Sequence, residues 1–161
     1  MRRKIGILWG LLGLLAVVVG FGVSAPVTAA ASYKIRPFRM HVTVLKNGDA
    51  NVTETMTYHF SDNYHGVFNV QDLRGIQGGR LTSVQSQLED GPLVTAKSSN
   101  SEQTNTYQLT QTKRRLKVKL YRTVRRNNQL KVTYKFHLRG VITNYRDTAQ
   151  LNWRLVGGGW D

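Results

Sequence analysis

Between Lys113 and Arg139 the chain places eleven basic residues and no acidic one; among them are Arg115, Lys117, Lys119, Arg125, Arg126, Lys131, Lys135 and Arg139. Lysine and arginine at that density, interleaved with Tyr121 and His137, have the chemistry of a polyanion surface for anionic lipid headgroups, cell-wall polymer or nucleic acid. The competing reading is a solvated sheet face whose lysines keep it from pairing with stray edges. Glu54 is the second candidate. It shares the parity of Val52, Met56 and Tyr58, so a strand here turns a carboxylate inward, where it needs a raised pKa, an arginine or backbone N–H donors. Such a group could serve a hydrolase, but Asp49 and Glu89-Asp90 stand in turn sequences, and no glycosidase pair can be assembled.

Other chemistries drop out by type and spacing. His41, His59, His65 and His137 have no H-x-H or H-x-x-x-H spacing, so no metal is expected. No G-x-S-x-G elbow or phosphate-loop glycine pattern occurs. With no cysteine, disulfides, thiolate metal sites and thiol nucleophiles are excluded. The expectation is a non-catalytic binding module with no cofactor.

The elements that must position these residues are strands. Met40, Val42 and Val44 alternate, as do Val52, Met56, Tyr58 and Phe60, with Asn47-Gly48-Asp49 as turn chemistry between them. Setting Val44 opposite Val52 and Met40 opposite Met56 leaves a three-residue loop and puts His41 opposite Thr55. A second hairpin is expected from Leu116, Val118, Leu120 and Val124 in one strand and Leu130, Val132, Tyr134, Phe136 and Leu138 in the next. Arg125 to Gln129 would connect them, with Val124 opposite Leu130. That register sets Lys119 against Lys135 and Arg115 against Arg139 on the outer face, like charges that something must screen. Shorter strands are expected at Leu81–Leu88, Leu93–Lys97, Thr106–Thr110 and Ala149–Leu155, the last turning Leu151, Trp153 and Leu155 inward. Tyr64–Gly79 reads as a long connection. The sum is an all-β antiparallel sandwich.

An export segment precedes it. Arg2, Arg3 and Lys4 flank an uncharged run from Ile5 to Val23, followed by Ala29-Ala30-Ala31. This order is that of a secretory signal peptide, and the run also reaches the length of a membrane span, so residues 1–31 read as a signal peptide or a helical membrane anchor. Residues 32–161 then form the extracytoplasmic domain, at the outer face of the membrane or secreted after cleavage. Export ranks nucleic acid below anionic lipid, wall polymer or a membrane-protein partner. The chain of 161 residues has 23 Lys and Arg against 9 Asp and Glu, an excess that bears on partners and solubility, not on fold.

The leader, KNGDANVTETMTYHF, the HGVF segment and DTAQLNWRLVGGGW together resemble the N-terminal exported domain of the bacterial membrane-protein family called domain of unknown function 2207. The resemblance spans most of Arg39 to Trp160 and implies a signal segment, an extracytoplasmic β-sandwich and then transmembrane helices. It supplies no catalytic residue. Asn69 stands where it implies an arginine, and the sequence stops at Asp161 before any such helix, which reads as a truncated relative or a fragment.

Overall fold

A computed structural model describes residues 33–154. The expected leader helix, Leu155 and Trp160 lie outside the described residues. Among those described there are eleven strands and no helix, in keeping with the alternation of apolar and polar residues. The strands are β1 (Tyr33–Val44), β2 (Ala50–Phe60), β3 (Tyr64–Asp72), β4 (Gly78–Leu88), β5 (Val94–Thr95) and β6 (Lys97–Ser98), then β7 (Thr106–Gln111), β8 (Arg115–Val124), β9 (Gln129–Arg139), β10 (Ile142–Asn144) and β11 (Ala149–Leu151). Sheet one has the order β1-β2-β9-β4-β5 and sheet two β3-β8-β7-β6, while β10 and β11 form a separate pair. The ladders are antiparallel except the short β6–β7 pair.

The two large sheets share one core. Val52, Met56, Tyr58 and Phe60 of β2 and Leu130, Val132, Tyr134, Phe136 and Leu138 of β9 join Leu116, Val118 and Leu120 of β8 and Val67 of β3 in a single buried cluster. Trp153 completes it at 6% exposure. An aromatic group closes one end, with Tyr33 at 5.6 Å from Tyr58 and Phe60 at 5.2 Å from Tyr64, between ring centroids.

Four expectations are corrected. First, β8 and β9 do not pair: β8 lies in sheet two between β3 and β7, and β9 lies in sheet one between β2 and β4. Their apolar sets both point inward, but across the core from opposite sheets. The segment after Val124 crosses between sheets beside the β2–β3 connection, to which it is tied by Asn127 N–H to Phe60 O (2.9 Å) and Arg126 N–H to Asn63 Oδ1 (2.9 Å). Second, the β1–β2 register is Val42 opposite Val52 and Val44 opposite Ala50, two residues from expectation, with His41 opposite Thr53. The five-residue turn is closed by Leu45 N–H to Asp49 O (2.8 Å), with Gly48 at φ 84° in the left-handed region. Third, the supposed connection Tyr64–Gly79 contains β3, an edge of sheet two. Fourth, Leu151 points outward at 45% exposure, because β11 pairs only with β10 and stands apart from the main sheets.

Candidate functional site

The cross-sheet placement of β8 and β9 divides the basic run between two surfaces. On sheet one the outward positions of β9 carry Lys131, Thr133, Lys135, His137 and Arg139. Beside them β2 presents Asn51, Thr53, Thr55 and Thr57, and β1 adds Arg39 and His41. Arg80 of β4 stands next to His137. The one acidic residue in the strands of sheet one is Glu54, and it faces the core at 2% exposure. The outer face is thus an array of cations and threonines, Thr55 Oγ1 lying 3.2 Å from Thr133 Oγ1, with no carboxylate among its strand positions and Asp49 of the β1–β2 turn against His137 at its end. Lys131 and Lys135 are four residues apart on one strand, about 13 Å at the antiparallel rise, so neither directly opposes the other.

Sheet two treats its cations differently. Lys119 lies opposite Phe68, Lys117 opposite Val70 and Arg115 opposite Asp72. Lys117 Nζ is 5.0 Å from the Phe68 ring centre and Lys119 Nζ 4.6 Å from that of Tyr121. Such contacts hold a lysine against its neighbouring ring and stabilise modestly on an exposed surface. Tyr121 Oη donates to Glu102 Oε1 at 2.8 Å, which brings a carboxylate beside Lys119. Asp72, opposite Arg115, is held down to about 2, first by its hydrogen bonds from the Arg74 side chain. Arg125 and Arg126 belong to neither face; they sit in the exposed crossing loop. The opposition of Lys119 with Lys135 and of Arg115 with Arg139 does not arise.

Glu54 is where parity places it, on the inner face of β2 opposite Tyr134 of β9. Its partners come from the facing sheet: Asn69 Nδ2 donates to Oε2 at 2.6 Å, and Gln71 Nε2 donates to Oε1. Among the described residues neither an arginine nor a backbone amide hydrogen-bonds to it. Burial pushes the carboxyl up to about 7, and the two amide donors only partly oppose it. Tyr58 and Tyr134, on the same inner surface, are raised above the ordinary phenol range, again chiefly by burial. The arrangement is a polar clasp between sheets, with Glu54 2% exposed. The signal for its partners was the parity of Asn69 and Gln71 with Val67, masked by the apolar Phe68 and Val70 on the other parity.

The histidines stay apart. His41 and His59 are six strand positions from one another in register, roughly 20 Å at the strand rise. No group of three histidine, aspartate or glutamate side chains is placed to hold a metal among the described residues. His137 has an arrangement that the sequence does not announce: Nε2 lies 3.2 Å from Asp49 Oδ2 and Nδ1 lies 3.0 Å from Asn51 Oδ1. Asp49 also accepts from Gly140 N–H at 2.9 Å, which is the main reason its carboxyl is held below the ordinary range. The β1–β2 turn is thereby fastened to the end of β9.

Comparison with known proteins adds the following. A family profile described as "Predicted membrane protein (DUF2207) N-terminal domain" matches residues 34–161. A search of curated proteins finds no match. Among solved structures, a group B streptococcus pilus 2b backbone protein is similar at 14% sequence identity and a TM-score of 0.36, over 74% of this chain and 53% of that one. The match spans about half of that protein's length.

Proposed function

Because the chain belongs to the DUF2207 family of predicted membrane-protein N-terminal domains, we propose that this domain is a non-catalytic binding module displayed on the extracytoplasmic side of a bacterial membrane. Its ligand is a polyanion, either anionic lipid headgroups or a phosphate-bearing wall polymer, engaged by the outer face of sheet one. The observation that carries this reading is the charge imbalance of that face. Arg39, Arg80, Lys131 and Lys135 point outward from a surface whose strands offer no outward carboxylate. Cations in such an array repel one another, and a ligand with matching negative charge relieves that repulsion. Sheet two supports the reading by contrast, since its Lys119 and Arg115 lie beside Glu102 and Asp72. The sealed position of Glu54 supports a structural role for that carboxylate over a hydrolytic one.

Residues 31–161 form a compact unit of their own, so the 32–161 segment serves for the test. It is sedimented with phosphatidylglycerol vesicles, phosphatidylcholine vesicles and isolated cell walls across a salt series. Binding to phosphatidylglycerol or walls that weakens steeply with salt is expected, and the two anionic arms separate lipid from polymer. Equal binding to phosphatidylcholine, or binding indifferent to salt, would overturn the proposal.

A further inference from the structure

At one end of the fold, the start of β4, the end of β9 and the β7–β8 loop surround a recess. Gly79, Arg80, Gln111, His137 and Arg139 line one part of it. Gln111 and Arg139 also line the adjoining part, where Gly78, Thr112 and Lys113 continue the wall. Gln111 Nε2 donates to Gly79 O at 2.9 Å and so spans from sheet two to sheet one across the recess. Arg139 Nη2 donates to Gln77 O at 3.3 Å, which holds one nitrogen of the guanidinium and leaves the others free to turn inward. Gly78, with φ 119°, brings the backbone to the recess without a side chain, and a Cβ there would come within 3.5 Å of Arg139 Nη2.

The lining carries three fixed cations, Arg80, Lys113 and Arg139, and no carboxylate. None of the three has an acidic partner within ion-pair distance among the described residues. The carboxylates of the flanking segments are already engaged, Asp49 with Gly140 and His137, Asp72 with Arg74. Three cations without an acidic partner suit a compact dianion better than a single carboxylate, and guanidinium groups match the geometry of phosphate oxygens. We propose that this recess is a binding site for one phosphate monoester group, with Arg80 and Arg139 as its principal ligands and Lys113 supplying further charge. The open face of sheet one reads charge density, whereas the recess reads a single group. The two sites share Arg80, but Lys131 and Lys135 stand outside the recess and Lys113 stands outside sheet one, so substitutions at those lysines tell the sites apart.

The test is a titration of the isotope-labelled 32–161 segment with inorganic phosphate, followed by amide resonances at constant ionic strength balanced with chloride. Acetate is the comparison ligand. Saturable shifts centred on Gly78–Arg80, Gln111–Lys113 and His137–Arg139 are expected, with acetate clearly weaker. R80Q/R139Q should weaken phosphate binding by about tenfold or more, the size expected for losing charge-assisted hydrogen bonds. K131Q/K135Q, which strips the open face, should change it by less than about twofold. Should R80Q/R139Q lose the wild-type fold, K113Q in the exposed loop carries the same test, with a loss of about threefold. Unsaturable shifts spread over the sheet, acetate binding as tightly as phosphate, or wild-type affinity in the recess variant would each overturn the proposal.

Discussion

Replacing Glu54 by glutamine should change how stability depends on pH more than it changes the structure. In the fold the carboxyl titrates at about 7, against 4.5 ordinarily, because it is buried between the sheets. The folded protein therefore holds this proton more tightly than the unfolded chain. By linkage, the contribution is fully present below pH 4.5 and is lost as pH rises through 7. The gap is worth about 3 kcal/mol. Glutamine copies the protonated state. It can accept from Gln71 and donate to Asn69 if that amide turns over, since Asn69 Oδ1 is buried without a partner as it stands. Urea unfolding of the 32–161 segment and of its E54Q variant, from pH 4 to pH 8.5, isolates the effect as a difference, because every other titrating group is common to both. The two should be about equally stable near pH 4, with E54Q gaining about 3 kcal/mol by pH 8.5. A difference that stays flat with pH, or a variant less stable than wild type at pH 8.5, would refute the buried-carboxylate reasoning.

Two further outcomes follow from the packing. A Cβ on Gly66 would stand 2.1 Å from Leu120 O, so Gly66→Ala should force β3 off β8 and cost about 3 kcal/mol or more, seen as a lowered urea midpoint and faster amide exchange along both strands. Trp153→Ala should cost about 3–5 kcal/mol by emptying a core site, whereas Leu151→Ser, at an exposed position, should stay within about 0.5 kcal/mol. Equal losses for those two substitutions in thermal unfolding would contradict the placement of β11.

What the sequence reveals and withholds has a physical cause. Period-two alternation reports which side of a strand faces the core, and it does so correctly for β2, β8 and β9, including the inward turn of Glu54. It is silent on which strand lies alongside. Val124 and Leu130 are both buried whether their strands are neighbours or face each other across the core, so a crossing between sheets imitates a hairpin. A two-residue slip preserves parity as well, which is why Val42 opposite Val52 could not be told from Val44 opposite Val52 by apolar pattern. In β3 the inward positions Asn69 and Gln71 are polar because they serve Glu54, and the outward Phe68 is apolar because it lies under Lys117. Both faces thus break the rule by which a strand is recognised. The recess at Arg80 and Arg139 joins residues far apart in the chain, and only the topology brings them together.

The central claim is that the outer face of sheet one, and not the basic segment as a whole, engages a polyanion. It is tested most directly by removing equal charge from each face. A variant carrying K131Q and K135Q is compared with one carrying K117Q and K119Q in sedimentation with phosphatidylglycerol vesicles and cell walls at low salt, with urea unfolding run beside each because the second also gives up two cation–π contacts. The account predicts that the first variant loses most of its binding and the second little. Equal losses from both, or a greater loss from the second, would contradict it.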